Sequence, residues 1–226
     1  MDVTIRHAPS FAVARLTLAS GESANAESGA MMATSGGVEI ESRMRGGLKG
    51  AFKRGILGGE SLFVSTLTAP SQGGWVDVAA RLPGDLLVLP VDGAVNLSRG
   101  SYLAAEEGVT IDAKWGGFKN LVGGEGGFLV RAEGRGQVVV AAYGAIDAVQ
   151  IPAGETVIVD SGHMVAYEDG VQFELRKAAS GGLIQSMKSG EGFVFAFQGP
   201  GTVWTQTRNP GQLISWLTTE LPFSRG

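Results

Sequence analysis

Three acid–base pairs recur along the chain, and in each pair the two charged residues stand two positions apart. The pairs are Glu41 with Arg43, Asp112 with Lys114, and Glu174 with Arg176. Side chains two apart on a β-strand share a face, so the members of a pair can meet. A ring of such pairs could bind a polar ligand. Alternatively, each is an exposed ion pair on a solvated sheet face worth about 0–1 kcal/mol, which is the interpretation we favour.

A second recurring set consists of carboxylates that each follow a glycine: Glu60, Glu125 and Glu191. Two carboxylates flanking a bond can perform the acid–base chemistry of a glycosidase. Catalysis rarely needs three equivalent copies, however. We therefore expect these residues to have an architectural role, such as accepting the amide hydrogens of a turn.

Residues 43–54 form the most distinctive local feature, which we call the basic segment. Its basic residues, with no acid among them, are Arg43, Arg45, Lys49, Lys53 and Arg54. Apolar residues spaced by four would give a short helix here one apolar and one basic face, suited to nucleic-acid phosphates or an anionic membrane surface. The segment also contains several glycines, each costing a helix about 1 kcal/mol relative to Ala. The alternative is a loop between repeats with its charges in water.

The chain lacks most of the side chains that catalysis and metal binding need. It has no cysteine and two histidines, His7 and His163, so we predict no metal site and no cofactor. No phosphate loop, HExxH or GxSxG motif occurs. We predict no catalytic residue and a protein that is not an enzyme. His163 has no partner in sequence for a catalytic or metal site, so we expect it to be on the surface or satisfied within the fold.

Charge and hydropathy limit the classes of protein further. The chain has 18 Lys and Arg residues against 22 Asp and Glu, a net charge of −4, which argues against a dedicated nucleic-acid binder. Hydrophobic residues make up 44%, which supplies a core and excludes low-complexity disorder. No stretch is apolar enough for a membrane helix, and the first residues do not form a signal peptide. We expect a cytoplasmic protein.

The chain repeats a pattern three times, at residues 28–43, 99–114 and 161–176. The shared frame is Gly, an apolar pair, Ala, and then Gly-Val-x-apolar-acid-x-base. We predict three internal repeats over about 1–80, 81–144 and 145–210 within a single domain spanning 1–226. Alternation of apolar and polar residues in each repeat is typical of β-strands.

The predicted elements follow from this pattern. The 36 glycines fit a many-stranded fold with tight turns and bulges. A short helix is expected at 210–220, with Asn209 as its cap and Pro210 in its first turn. Trp216 on that helix could anchor a subunit interface, or it could pack into the core.

The chain resembles the AIM24 family. The match lies in Lys53-Arg54-Gly55-Ile56-Leu57-Gly58-Gly59-Glu60-Ser61-Leu62-Phe63, in Ser161-Gly162-His163-Met164-Val165-Ala166 and in the Gly-Val-x-apolar frames. The resemblance implies an all-β, TRAP-like β-barrel or β-prism in which three repeats close around a pseudo-threefold axis. TRAP itself is a tryptophan-responsive RNA-binding ring, and eukaryotic relatives of the family are associated with mitochondrial biogenesis. The family offers no catalytic residues to transfer.

Two functions remain open from the sequence. The first is a non-enzymatic β scaffold that forms a homo-oligomer, because repeats leave strand edges to be covered, and that presents a binding surface. The second is a TRAP-like binder of a small ligand, RNA or an anionic membrane surface, using a groove between repeats and the basic segment.

Overall fold

The computed structural model describes residues 1–44, 63–112, 129–177 and 193–221. This part of the chain folds into antiparallel β-sheets with one short α-helix, as the sequence predicted. Residues 1–80, the first third, contain β1 (Asp2–Arg6), β2 (Val13–Leu18), β3 (Ser23–Glu27), β4 (Met31–Thr34), β5 (Glu39–Met44), β6 (Phe63–Thr68) and β7 (Gly74–Ala79).

Residues 81–144, the second third, have fewer and longer strands. They contain β8 (Leu86–Ser98), a 3₁₀ turn (Arg99–Ser101), β9 (Tyr102–Glu106), β10 (Val109–Asp112) and β11 (Leu129–Ala141). Residues 145–210 form the last third and lead into the helix. They contain β12 (Ile146–Ile151), β13 (Thr156–Asp160), β14 (Met164–Glu168), β15 (Gln172–Lys177), β16 (Phe193–Gln198) and β17 (Gly201–Gln206), before α1 (Pro210–Glu220).

Strands pair in the same order in each third. In the first third, β2 and β4 flank β7 while β3 and β5 flank β6. In the last third, β12 and β14 flank β17 while β13 and β15 flank β16. In the second third, β8 pairs with β11 along its whole length, so that two long strands make the contacts that four strands make elsewhere. There β10 pairs with the first half of β11, and β9 pairs with its second half.

A pair of glycines allows β8 and β11 to change partners halfway along. Gly93 lies opposite Gly134, with φ of +107° and +129°. A Cβ on Gly134 would stand 2.1 Å from the carbonyl oxygen of Gly108. Only glycine fits a left-handed backbone in such close contact.

Two junctions join consecutive thirds. β3 pairs with β9, with Asn25 opposite Ala105, and β8 pairs with β14, with Asn96 opposite Tyr167. Both junctions are antiparallel. β4 occupies the position of β9 and β14 in the pairing order, and β13 occupies the position of β3. Within the described residues each pairs on one side only, β4 with β7 and β13 with β16.

The predicted closed barrel is therefore absent from the described part of the chain. The strands there form three sheets, of four, ten and three strands. The physical reason is the unformed pairing between β4 and β13. The four-stranded sheet ends at β4, and the three-stranded sheet ends at β13.

The buried side chains form clusters that consecutive thirds share. One cluster combines Leu16 and Val76 of the first third with Leu103 and Val139 of the second. Another combines Val64 of the first third and Val165 of the last with the second third. In the last third, Tyr167, Phe173, Phe195 and Phe197 pack with ring centroids 5.1–5.6 Å apart.

The C-terminal helix begins as predicted. The Asn209 side chain accepts hydrogen bonds from the amides of Gly211 and Gln212 at 2.8 and 3.3 Å, and Pro210 follows it. None of the helix residues is buried, so Trp216 is not a core residue. Among the described residues, no helix has both the length and the apolar character needed to cross a membrane.

Candidate functional site

The basic segment falls almost entirely outside the described residues. Arg43 belongs to β5, where its backbone lies opposite Val64. Arg45, Lys49, Lys53 and Arg54 lie outside the described ranges, as do Glu60, Glu125, Glu191, Lys114 and Trp115. The role of these residues stays a prediction from the sequence.

The acid–base pair of the last third lies in solvent. Nη2 of Arg176 donates to Glu174 across 2.7 Å, and the two side chains are 51% and 60% exposed. This pair matches the solvated sheet face that the sequence favoured over a polar-ligand site.

His163 has a structural role. Its Nδ1 donates to the carbonyl oxygen of Gln206 across 2.7 Å. The Gln206 side chain returns a hydrogen bond from Nε2 to the carbonyl oxygen of Gly162 at 2.9 Å. The two bonds fasten β17 to the turn before β14, which agrees with the expectation that His163 is satisfied within the fold.

Among the described residues, the least exposed carboxylate belongs to Asp77, which the sequence did not single out. It lies on β7, is 2% exposed, and stands opposite Arg15 of β2. Arg15 donates to it from Nε at 2.8 Å and from Nη2 at 2.9 Å, and Arg6 of β1 donates from Nη2 at 2.8 Å. These bonds, from Arg15 first and then Arg6, hold the pKa of Asp77 below its ordinary value.

The Asp77 cluster also includes an aromatic ring. The guanidinium carbon of Arg15 lies 3.8 Å from the centroid of Trp75, within cation–π range. The cluster thus binds β1, β2 and β7 together. Asp77 occupies the polar position of an alternating strand, which made it look solvent-facing. Only its arginine partners, Arg15 and Arg6 on the neighbouring strands, indicate that it is buried.

A second charged network spans the junction between the second and last thirds. Arg131 of β11 donates through both terminal nitrogens to Asp169, which follows β14, with the Nη2 bond at 2.8 Å. Asn96 of β8 donates to the same carboxylate at 3.3 Å. These bonds, Arg131 first, lower the pKa of Asp169.

The hydroxyl of Tyr167 lies near this network, buried and without a hydrogen-bond partner among the described residues. Burial, and to a smaller extent the charge of Asp169, raise the pKa of Tyr167. The hydroxyl therefore stays protonated at any physiological pH.

Three side chains, which we call amide caps, each accept a hydrogen bond from a backbone amide of a strand. Ser35 accepts from the amide of Trp75 at 3.0 Å. Glu106 accepts from Gln137 at 3.1 Å, and Glu168 accepts from Thr202 at 2.9 Å. A glycine precedes each donor, at 74, 136 and 201. The sequence anticipated carboxylates that accept turn amides but did not assign that role to these residues.

The described surface offers little that resembles an active site. An open depression of about 510 Å³ lies beside Trp75, and its lining residues, including Ser20, Ser35 and Gln72, are uncharged. Within the described ranges, no three His, Cys, Asp or Glu residues come close enough to hold a metal ion.

Exposed apolar side chains instead occur on β4 and β13, two of the terminal strands of the described sheets. Met31 and Met32 of β4 are 40% and 55% exposed, and Ile158 of β13 is 61% exposed. The residues of β9 and β14 that follow the same sequence frame, Tyr102 with Leu103 and Met164 with Val165, are buried. Phe11, Ile40, Ile214, Trp216 and Leu221 are the other large exposed hydrophobic residues in the described part of the chain.

The fold is shared with a solved structure. An X-ray crystal structure of a Streptococcus pyogenes protein superposes with a TM-score of 0.82 at 25% sequence identity. The match covers 97% of this chain and 99% of that one. An uncharacterised protein of Streptococcus pyogenes serotype M6 is 27% identical over 233 residues, covering 99% of this chain and 92% of the relative.

One family profile matches nearly the whole chain. It is that of AIM24, described as mitochondrial biogenesis AIM24, and it matches residues 3–208. The range includes all three thirds of the fold and ends just before α1. The chain belongs to the AIM24 family.

Proposed function

We propose that this chain is a non-enzymatic β scaffold that self-associates and presents a binding surface. In this proposal the three thirds are copies of one six-stranded unit, arranged in TRAP-like fashion about a pseudo-threefold axis. The pairing order supports the repeat, because the same strands flank one another in the first and last thirds. The three amide caps at Ser35, Glu106 and Glu168 support it independently.

The observation that carries the scaffold role is that the carboxylates described above are bonded to other parts of the fold. Asp77 holds two arginines from neighbouring strands, and Asp169 holds Arg131 across a junction. Glu106 and Glu168 bind backbone amides. Each of these carboxylates has an opposite charge or an amide as its partner, and these bonds hold strands together. At Asp77 and Asp169 they also lower the pKa of the carboxyl group. An acid–base catalyst needs the opposite, a pKa near the working pH.

The test is native mass spectrometry, with light scattering after size exclusion, on protein purified from its host. We expect a discrete assembly of unmodified chains. A co-purifying small molecule or nucleic acid would instead favour the TRAP-like binder. Turnover in a broad hydrolase screen, abolished by replacing one carboxylate, would overturn the non-enzymatic role.

A further inference from the structure

The open depression beside Trp75, which we call the Trp75 depression, lies where three turns of the first third meet. They are the turns at 19–22 between β2 and β3, at 35–38 between β4 and β5, and at 69–73 between β6 and β7. Its volume is about 510 Å³, within the range of sites for small molecules. All of its described lining belongs to the first third, so it is not a groove between repeats.

The turn that begins at Ser35 lacks the acids that the corresponding turns of the other two thirds carry. By the shared sequence frame, Ser35 corresponds to Glu106 and Glu168, and all three accept a backbone amide of a strand. The following position is glycine in the first third, at 36, and acidic in the others, at 107 and 169. Serine and glycine are shorter than these acids and carry no charge. The first third therefore has an open, neutral turn where the others have a charged one.

An aromatic ring is the second feature that sets this turn apart. The amide that Ser35 caps belongs to Trp75, whereas the corresponding amides belong to Gln137 and Thr202. The indole is half-buried, and the guanidinium carbon of Arg15 lies over one face, 3.8 Å from the ring centroid. The other face and the ring edge are what the depression can offer to a ligand.

The remaining lining supplies neutral hydrogen-bonding groups. Thr17, Ser20 and Gln72 line the depression and are exposed. A hydroxyl group both donates and accepts, and a primary amide does the same through separate atoms. The Trp75 depression thus combines one aromatic surface with donors and acceptors that carry no charge.

We infer that the Trp75 depression binds a neutral carbohydrate. A pyranose ring presents C–H groups on its faces and hydroxyl groups around its edge. The C–H face packs against the electron-rich face of an indole, and the hydroxyl groups exchange hydrogen bonds with neutral side chains such as Ser20 and Gln72. This inference deepens the proposed binding surface by naming its ligand class, and it rests on that part of the proposed function.

Other ligands that stack on tryptophan fit this lining less well. A nucleotide or a free amino acid brings a phosphate or a carboxylate, which a cationic side chain holds most strongly. The described lining has no cationic side chain, and the Arg15 guanidinium on the indole is already bonded to Asp77. A proline-rich peptide docks in a groove lined by aromatic rings, whereas Trp75 is the one aromatic residue in the described lining.

Saturation-transfer NMR on the whole chain tests the inference, whatever the size of the assembly. The probes are cellotetraose, maltotetraose and chitotetraose, which are neutral, with tetragalacturonate as the anionic control. A polyproline peptide tests the peptide alternative. We expect saturation of at least one neutral oligosaccharide, strongest at its ring C–H protons, and none of the anionic one, because the described lining has no cation.

Two substitutions introduce residues that the other thirds already carry. Ser35→Glu supplies the carboxylate that caps the corresponding amide in those thirds, so the fold can accommodate it, while its charge and volume fill the depression. Trp75→Gln removes the indole and leaves the backbone bonds of β7 in place. We expect each to weaken binding about tenfold or more, because the space for the sugar or its stacking surface is lost.

Matched controls make the same kinds of change elsewhere. Ser10→Glu adds one negative charge at an exposed serine, and Trp216→Ala removes a tryptophan that is 58% exposed on α1. Neither residue lines the depression, so both variants should bind the sugar as the wild type does. Circular dichroism checks the fold of each variant, and Ser35→Glu decides the question if Trp75→Gln does not fold.

Three results would overturn the inference: no saturation of any neutral oligosaccharide, saturation of the anionic sugar or the peptide alone, or binding that Ser35→Glu leaves unchanged. Native mass spectrometry measures self-association separately. Protein that assembles but binds no sugar contradicts the carbohydrate site and leaves the self-associating scaffold standing. Protein that binds the sugar as a monomer supports the site and contradicts self-association.

Discussion

Asp77 shows how one carboxylate can organise several strands. It receives three hydrogen bonds from Arg15 and Arg6 and lies almost fully out of solvent. Burying a charge is unfavourable unless it is paired and hydrogen-bonded, and here both conditions hold. Removing the charge would leave the arginines without their acceptor.

Replacing Asp77 with Asn should therefore be costly. We expect Asp77→Asn to lower the free energy of unfolding by about 2–3 kcal/mol, the range for a hydrogen-bonded charged group that loses its partner. Urea denaturation measures this. The matched control is Asp92→Asn. Asp92 pairs with Arg135 across 3.2 Å, but the side chains are 83% and 89% exposed, so a change within about 0.5 kcal/mol is expected. Equal effects of the two substitutions would contradict the role of burial.

The pH dependence of stability has a defined sign at this residue. The folded-state pKa of Asp77 lies below its unfolded value, so its contribution is complete above the unfolded pKa and is lost as the pH falls through the folded one. We expect the difference in unfolding free energy between wild type and Asp77→Asn to be constant from about pH 7 to pH 5 and to shrink below about pH 4. A difference that grows on acidification would refute the assignment.

At the scale of elements, the close approach of two connections restricts one position to glycine. Gly84, before β8, forms an isolated bridge with Gly144, before β12. A Cβ at Gly84 would lie 1.9 Å from the carbonyl oxygen of Ala142. Both partners are backbone, so no side-chain rotation relieves the clash.

Gly84→Ala should thus be destabilising by about 2 kcal/mol or more, the cost of forcing extra volume into a packed site. Gly170→Ala is the control, since nothing lies within 4 Å of its added Cβ. Thermal denaturation of the two variants should separate them clearly. A Gly84→Ala protein as stable as Gly170→Ala would show that these connections are not closely packed.

The helix α1 should contribute little to the stability of the sheets. Trp216 is 58% exposed, so we expect Trp216→Ala to change the unfolding free energy by less than about 0.5 kcal/mol. Phe197 of β16 is fully buried, and Phe197→Ala should cost about 3–5 kcal/mol. A large effect at Trp216, measured by the same urea titration, would indicate that another surface covers the helix.

The sequence predicted the strands and the helix better than it predicted the contacts between residues far apart in the chain. Alternation identified β5 and β15, and Asn209-Pro210 identified the start of α1, because these signals are local. The burial of Asp77 and the amide caps of Glu106 and Glu168 depend on residues far along the chain, so spacing could not show them. The threefold pattern likewise suggested a closed barrel, whereas β4 and β13 do not pair within the described residues, and no local pattern could show that.

For the whole molecule, the basic segment gives the clearest test between the two functions. A variant with Arg45, Lys49, Lys53 and Arg54 changed to Gln is compared with wild type for binding to RNA and to anionic vesicles. As a scaffold, both proteins should show no salt-dependent binding. Binding at low salt that weakens steeply with added salt, and is lost in the variant, would establish the alternative function, because phosphate contacts release counterions. The control neutralises Arg81, Arg99, Arg135 and Arg208, which removes the same charge elsewhere.

The junction between β3 and β9 also sets an order for synthesis. β3 is translated early, yet its neighbour β9 leaves the ribosome only after the first third is complete. Each third therefore waits for the next one to finish its sheet, and folding proceeds from the N-terminus.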